Sequence, residues 1–329
     1  MKNKILEELK AGNGEPVSGE EMSRRLGISR TAVWKHIRRL RSEGYNIESQ
    51  TNSGYRLVGN PDILTLEELE PFLGTDFIGR NIIYLDSVDS TNSYAKRAAE
   101  RSFCEGTVVF AEEQSLGRGR LGRCWVSPKG KGIWMSILLK PEVLPSDAPK
   151  LTIVAAQAVV NALWHSCGLP ARIKWPNDIV AGGRKICGIL TEMSAEEDEI
   201  RYVVVGIGIN ANIKTEDFGP EVSGTATSVS IEKGQDISRK ALAASVLTEF
   251  EKLYRNFVQE GSIVFFLEEY KSKSAVLGKE IRIISKKEEI TGLAVDITGE
   301  GQLVVRLEDG SLREVMSGEV SVRSLKGYA

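Results

Sequence analysis

The stretch Gly117-Arg118-Gly119-Arg120-Leu121-Gly122-Arg123 decides how this chain is read, because it fits the pattern G-x-G-x-x-G. A dinucleotide fingerprint needs a helix to open on that run. Here the chain continues through Ser127-Pro128, Gly130 and Gly132 into the apolar run Ile133 to Leu139, which reads as a strand. A Rossmann domain is therefore rejected. What remains is a mobile Gly-rich loop carrying Arg118, Arg120 and Arg123, which offers backbone amides and guanidinium forks to phosphates. A flexible basic surface loop is the plainer alternative.

Outward from the loop, strand-like runs (Ile82 to Leu85, Val108 to Ala111, Ile186 to Leu190, Tyr202 to Val205) are interspersed with helical ones. The helices are predicted over Thr91 to Arg101 after Ser90, over Lys150 to His165, and over Arg239 to Phe257 after the cap Ser238. The pattern predicts a mixed α/β or α+β domain over 65–270 on one sizeable sheet. Within it, Lys174-Trp-Pro-Asn-Asp178 reads as a strand ending in a turn, and Gly182-Gly183 as a hairpin that returns Lys185 toward Asn177 and Asp178. Gly206-Ile-Gly-Ile-Asn210 closes a Val-rich strand, where glycine implies close approach of another backbone or a ligand. Ser90-Thr91-Asn92 is a good helix N-cap and on its own no more than that.

Residues 1–60 carry eleven Lys/Arg against seven Glu, a net +4, in a chain whose net charge is -2. A basic module thus precedes an acidic body. Ile5, Leu6 and Leu9 form a short helical stripe, Ser18-Gly-Glu-Glu21 reads as a capping box, and Gly27 ends the helix. Ser29 then caps a helix with Val33, Ile37 and Leu40 inward, leaving Thr31, Lys35, Arg38 and Ser42 on the opposite face. Ile47 to Gln50 and Tyr55 to Leu57 flank the turn Thr51-Asn-Ser-Gly54. This order is that of a winged helix-turn-helix, with Ser29, Arg30, Thr31, Trp34, Lys35 and Arg38 as the expected DNA-binding residues. A helical cap with a solvated basic surface is the alternative. Val58 to Asp62 reads as a linker. Short strands over Glu280 to Ile284, Leu293 to Ile297, Leu303 to Leu307, Leu312 to Val315 and Val320 to Val322 predict a small β-barrel over 275–327.

Composition narrows the chemistry. The 329 residues are 41% apolar and 27% charged, ordinary globular usage with room for two or three domains. The longest apolar run, Leu151 to Trp164, is interrupted by Thr152, Gln157 and Asn161, so no membrane helix is expected, and the first ten residues lack a signal-peptide core. Four scattered cysteines without a C-x-x-C pair fit a reducing cytoplasm and argue against zinc ribbons. With only His36 and His165, histidine-based catalysis and His-rich metal sites are nearly excluded. No protein metal-ligand motif is present. Phosphate-binding arginines, a lysine and polar turns suit a reaction whose nucleophile comes from the substrate, such as a carboxylate attacking the α-phosphate of ATP.

GRGRLGR followed by Trp125 and Ser127-Pro128, then KWPND (174–178), GRKICGIL (183–190) and GIGIN (206–210), resembles the bifunctional biotin protein ligases that are also biotin operon repressors, along the whole chain. The resemblance implies an α+β protein: an N-terminal winged helix-turn-helix (1–60), a central catalytic domain (65–270) and a C-terminal SH3-like β-barrel (275–327) assisting ATP and acceptor binding. It implies biotin contacts from Ser90, Thr91, Asn92, Gln114, Trp125 and the Gly188 backbone, with Arg118, Arg120 and Arg123 in a loop closing over biotin and phosphates. Lys185 matches the lysine at the biotin carboxylate and α-phosphate. Asn177 and Asp178 match the place of the acceptor lysine, with Asn177 also near the nucleotide and Asn210 bordering it. Lys185, Arg120 and Asp178 are the implied catalytic residues. Residues 212–229 match the loop that orders over the adenylate; this sequence has Phe218 there and no tryptophan. ATP with Mg2+, biotin as substrate and co-repressor precursor, a biotin carboxyl carrier domain, operator DNA and a homodimer on that DNA follow as implied partners. A small-acid-sensing repressor without ligase activity and a lipoate-type ligase are the competing readings.

Overall fold

The computed structural model describes residues 1–50, 53–59, 62–284, 288–317 and 321–324. Thr51 and Asn52 of the expected wing turn, Asn60 and Pro61 of the expected linker, Val320 of the last expected strand, and 325–327 at the end of the expected barrel lie outside these. The chain divides into two compact units, Met1–Ile63 and Leu64–Ala329.

In the first unit, α1 (Lys2–Ala11), α2 (Gly19–Leu26) and α3 (Arg30–Ser42) precede a hairpin of β1 (Ile47–Gln50) and β2 (Gly54–Leu57). Ile5, Leu6, Leu9, Met22, Val33, Ile37 and Leu40 form the buried core. The Ser18 hydroxyl accepts from the Glu21 amide, but the return bond of the expected capping box is not made. Glu21 pairs with Arg25 one turn on, since opposite charges at i and i+4 attract across a helix face. Gly27 ends α2 in the left-handed conformation, and Ser29 caps α3 by accepting from the Ala32 amide at 3.1 Å. The hairpin is tied back to the helices by two backbone bonds between Val17 and Tyr55. Only glycine fits next to that tie, because a Cβ on Gly54 would lie 2.1 Å from the Val17 carbonyl oxygen.

In the second unit, α4 (Leu66–Leu69) leads into a mixed sheet of seven strands among the described residues, in the order β3-β4-β5-β9-β8-β7-β6. These are β3 (Ile82–Leu85), β4 (Val108–Ala111), β5 (Gly132–Leu139), β6 (Arg172–Lys174), β7 (Asp178–Ala181), β8 (Arg184–Glu196) and β9 (Glu199–Asn210). Only β3 and β4 are parallel. One face buries Phe110, Met135, Val203 and Val205 in a core shared with α6 (Leu151–Cys167) and α8 (Arg239–Glu260). The apolar run from Leu151 is therefore a core helix, as its nearly all-round apolar surface requires. No helix among the described residues is long and apolar enough to cross a membrane. The other face packs Val109, Leu138 and Val204 against Ala95 of α5 (Thr91–Ala99). Buried Arg239 at the start of α8 reaches Glu112 at 2.8 Å and the Gly132 carbonyl at 3.0 Å, clamping the ends of β4 and β5 together.

The two central strands run well beyond the apolar runs that announced them, because cross-strand pairing carries the polar residues of β8 as far as Glu196. Gly206 to Asn210 forms the end of β9, as read from the sequence, and 206–209 are paired on both sides. Three helices had no strong local signal: α4, α7 (Val229–Lys233) and α9 (Val264–Ser272). The last part of the chain is an antiparallel sheet in the order β13-β12-β11-β10-β14, from β10 (Glu280–Ile284), β11 (Glu289–Ile297), β12 (Leu303–Arg306), β13 (Leu312–Val315) and β14 (Ser321–Ser324). Pairing between β13 and β14, which would close a barrel, is absent among the described residues. Its apolar face joins the main core through Ile281, Ile283, Ala294 and Leu303, and Trp175 Nε1 donates to the Gly301 carbonyl at 3.0 Å.

Candidate active site

The sheet face that carries α5 is hollowed where β5, β8 and β9 hold Ser136, Gly188, Gly206 and Gly208. Trp125 fills part of the hollow: a Cβ on Gly208 would lie 2.6 Å from its Nε1, and one on Gly188 3.1 Å from its Cζ3. The indole stands edge-on to Trp134, and its buried Nε1 has no hydrogen-bond partner among the described residues. The glycines of 206–208 are thus explained by the close approach of the Asn92 and Trp125 side chains.

Two adjoining cavities, of about 310 and 50 Å³, share Gly119, Arg120, Trp125, Asn177 and Lys185 on their walls. The smaller is lined also by Ser90, Thr91, Asn92, Gln114, Arg118 and Gly188. The larger is lined also by Arg123, Asp178, Asn210 and Phe218. Every site residue expected in the central domain therefore lies on one or the other wall, although those residues are spread from position 90 to position 210 of the chain.

Local geometry differs from expectation at the start of α5. Ser90 occupies the N-cap position, yet its hydroxyl makes no capping bond. Gln114 Oε1 takes that role, accepting from the Thr91 amide at 2.9 Å and from the Thr91 hydroxyl at 3.1 Å. A side chain from the segment after β4 has displaced the local cap.

At the junction of the cavities, Lys185 Nζ lies 2.6 Å from Asp178 Oδ1 and 5.1 Å from the Trp125 ring centre. The hairpin thus brings these residues together as read from sequence. The Lys185 main chain bonds to Thr225 and Thr227, and Asn210 Nδ2 donates to the Thr227 carbonyl, so segment 212–229 is anchored beside the lysine. Arg120 donates to Asn177 Oδ1 at 2.9 Å and to the Ser317 carbonyl. Burial lowers the affinity of its guanidinium for a proton, and nearby Asp178 opposes that shift. Asn177 in turn donates to the Ile189 carbonyl, which makes it a strut between β8 and Arg120.

The Gly-Arg loop contains no α-helix, as the rejection of a Rossmann fold required; it makes a tight turn with one 3-10 segment, Arg120–Gly122. Arg118 and Arg123 are exposed. Sequence reasoning missed Lys174, which is buried and lines the larger cavity, and Ser136 and Glu192, which lie beneath Thr91 and Asn92. Lys174 had a visible signal, a lysine inside a run that otherwise reads as a buried strand.

On the first unit, Arg30, Thr31, Trp34, Lys35 and Arg38 are exposed along α3, and the Arg38 guanidinium stacks 4.8 Å from the Trp34 ring centre. Arg39 is paired with Glu43, and Arg41 is bonded to the Ile47 carbonyl and Ser49. Among the described residues no carboxylate pairs with Arg30, Lys35 or Arg38.

Three family profiles match the chain: the biotin/lipoate A/B protein ligase family over residues 84–210, an HTH domain over residues 2–56 and the biotin protein ligase C terminal domain over residues 276–323. Fold and profiles together define the class, a ligase of the biotin/lipoate type fused to a helix-turn-helix module. The bifunctional ligase/repressor BirA of Bacillus spizizenii is 39% identical and covers 98% of both chains. The protein of the same name from Escherichia coli is 32% identical over 95% of this chain and 94% of its own. The structure of the biotin protein ligase from Aquifex aeolicus in complex with biotin and ATP is 33% identical with a TM-score of 0.65, covering 74% of this chain and 99% of that one. The chain belongs to the family of bifunctional biotin protein ligases and repressors.

Proposed function

We propose that the two adjoining cavities are one reaction chamber, with the biotin ring in the smaller, ATP in the larger, and the biotin carboxylate and α-phosphate meeting at Lys185 and Arg120. The protein is an ATP-dependent biotin protein ligase and a biotin-responsive repressor. The observation that carries the chamber assignment is the shared wall of Lys185, Arg120, Asn177 and Trp125. Biotin carboxylate is already ionised at neutral pH, so no general base is needed when it attacks the α-phosphate and pyrophosphate leaves. The barrier lies in bringing anions together, and the Lys185 ammonium and Arg120 guanidinium offset the charge that grows there. An acceptor lysine of a carrier domain then attacks the mixed anhydride and AMP leaves. In this reading Asp178 receives that lysine, Phe218 covers the adenine, and the loop of Arg118 and Arg123 closes over biotin and the phosphates. Among the described residues no cluster of three or more His, Cys, Asp or Glu could hold a metal, and Asp178 is the one carboxylate on the larger wall. The magnesium that accompanies ATP would take its ligands chiefly from the phosphates.

Mass spectrometry of the protein incubated with ATP and either biotin or lipoate tests the reading. Biotinyl-5'-AMP is expected; a lipoyl adenylate alone would make it a lipoate-type ligase, and no adenylate with either acid would leave an acid-sensing repressor.

The Gly-Arg loop acts in this proposal as a lid. Its glycines make a single conformation costly until phosphate charge offsets the lost freedom. Arg120→Gly, which loses the bonds to Asn177 and Ser317, should release biotinyl-5'-AMP faster than wild type and biotinylate bystander lysines. Rapid-filtration off-rates equal to those of wild type would refute the lid.

We assign residues 1–60 to DNA binding, 65–270 to catalysis and 275–327 to support of ATP and acceptor binding. A homodimer on a two-fold operator, in the cytoplasm that holds the DNA, completes the proposal. Stacking on Trp34 orients the Arg38 guanidinium while leaving its N–H groups available to a base edge. Arg38→Ala should therefore weaken operator binding by roughly ten- to a hundredfold and relax specificity at one position, whereas Lys35→Ala should lower affinity on any sequence and reduce the salt slope by about one. Titration of operator and random DNA at several salt concentrations separates the two effects.

A further inference from the structure

A continuous file of hydrogen bonds runs along the wall of the smaller cavity. Lys96 Nζ donates to Glu192 Oε1 at 2.7 Å, and Asn92 Nδ2 donates to Glu192 Oε2 at 2.8 Å and to the Leu190 carbonyl at 3.2 Å. The buried Ser136 hydroxyl lies 2.6 Å from Asn92 Oδ1 and 2.8 Å from Thr91 Oγ1. Thr91 bonds to Gln114 Oε1, Gln114 Nε2 donates to Ser127 Oγ at 2.8 Å, and Ser127 Oγ donates to the Trp125 carbonyl at 3.2 Å. The seat of Asn92 exists because residue 206 is glycine: a Cβ there would lie 2.2 Å from Asn92 Oδ1.

Every amide and hydroxyl in this file can donate or accept, so its polarity is set by members that can do only one. Glu192, as a carboxylate, only accepts. Burial works against its ionisation, yet the bonds from Lys96 and Asn92 outweigh that and hold its carboxyl below the ordinary glutamate range. Glu192, and with it the Leu190 carbonyl, which likewise only accepts, therefore turns the Asn92 nitrogen toward itself and the Asn92 oxygen to Ser136. The single hydrogen of Ser136 goes to that oxygen, which leaves a lone pair facing Thr91. From the other side, the Thr91 backbone amide only donates and holds Gln114 Oε1 toward it. The Thr91 hydroxyl hydrogen then has two acceptors in the wall, Ser136 and Gln114, and none of the chain's logic turns it to the cavity. Thr91 Oγ1 thus presents a lone pair and Gln114 Nε2 a donor, the complement of a cyclic urea, which has N–H to give and a carbonyl to receive.

We propose that Glu192 is a positioning residue that acts through Asn92 and Ser136 to commit the Thr91 hydrogen to the wall, and so decides which wall atoms accept from, and which donate to, the ureido end of biotin. The proposal rests on the assignment of the smaller cavity to the biotin ring.

Glu192→Gln in the full-length protein tests it. The substituted amide can offer N–H to Asn92, so that the Leu190 carbonyl alone opposes its turning over; once turned, Asn92 lets Ser136 donate to Thr91 and leaves Gln114 Oε1 as the single wall acceptor for the Thr91 hydrogen, which frees it to turn toward the cavity. KM for biotin should rise roughly ten- to a hundredfold, the scale of one mispaired buried hydrogen bond, with kcat and KM for ATP within about twofold of wild type. The preference for biotin over 2-iminobiotin, in which N–H replaces the ureido oxygen, should shrink. Glu192→Asp, which keeps an acceptor-only group, should lie closer to wild type than Glu192→Gln. Ser136→Ala breaks the file at its centre and should raise KM for biotin in the same way, so the test survives if Glu192→Gln does not fold. Unchanged KM for biotin and unchanged discrimination in either folded variant overturn the proposal, as does a parallel loss of kcat, ATP affinity and Tm in every variant. A wild-type protein that forms no biotinyl-5'-AMP would instead sink the reading of the chamber, and this inference with it.

Discussion

Lys185→Ala is expected to give a folded protein that forms biotinyl-5'-AMP about a hundredfold or more slowly, the scale of losing one preorganised charge donor. Folding should survive because the bonds that tie segment 212–229 to position 185 come from its main chain, to Thr225 and Thr227, which alanine retains. Catalysis should not. The ammonium stands at the junction of the two cavities, 2.6 Å from Asp178, and neither His36 nor His165 lines either cavity to supply a replacement cation. Truncation also leaves Asp178 without this counter-ion, adding a negative charge where two anions must meet. Stopped-flow measurement of pyrophosphate release on mixing with biotin and ATP reads the step directly. Release at the wild-type rate would remove Lys185 from the transition state and shift the burden to Arg120 or the buried Lys174.

Removal of residues 1–63 should abolish operator binding while leaving adenylate formation within about twofold of wild type. All residues lining the two cavities lie at or after Ser90, and the second compact unit begins at Leu64. The deletion takes away the exposed α3 face of Thr31, Lys35 and Arg38 together with the hairpin beside it. In the full-length protein, biotinyl-5'-AMP should tighten operator binding under the proposed homodimer, in which ordering of the Gly-Arg loop and of segment 212–229 would favour the dimer that spans two half-sites. Linkage then requires operator DNA to tighten adenylate binding by the same factor. Affinity should also fall steeply with salt, as phosphate contacts demand. Operator titrations with and without biotin plus ATP, at several salt concentrations, decide the matter: equal affinity in both ligand states would remove the co-repressor role, and no specific binding in either would leave a ligase alone.

Local sequence signals carried far where the partners of a group lie within one turn of it. The caps Ser18, Ser29 and Ser238, the stop at Gly27 and the inward triplet Val33, Ile37 and Leu40 could all be read directly, because a cap bond or a helical stripe is settled within a few residues. Even there a near neighbour intervened, for Arg25 took the Glu21 carboxylate that the capping box needed. The Gly-Arg loop was likewise legible in the negative: a strand after it, with no helix between, excludes a dinucleotide site whatever the tertiary structure. The order of GRGRLGR, KWPND, GRKICGIL and GIGIN named the family, since four motifs in sequence are far more specific than any of them alone.

Only the tertiary structure decided what those motif residues touch. Ser90 looked like the cap of α5, but Gln114 reaches in from beyond β4 to accept the Thr91 amide, and a helix terminus takes whichever acceptor the packed fold holds closest. Gly206 and Gly208 signalled a close approach without saying of what, and the answer, the side chains of Asn92 and Trp125, comes from segments roughly 80 to 115 residues away in the chain. Glu192 and Ser136 carry no motif and sit among strand residues of ordinary pattern. They acquire a role because pairing of β8 with β9 and of β9 with β5 sets them under α5, 100 and 44 residues from Asn92 along the chain. The sequence alone thus determined most of the elements, the module order and the family, which rest chiefly on signals between near neighbours. The polarity and shape of the chamber rest on hydrogen bonds between distant segments, and those exist only once burial of the two sheet faces has brought the strands into register.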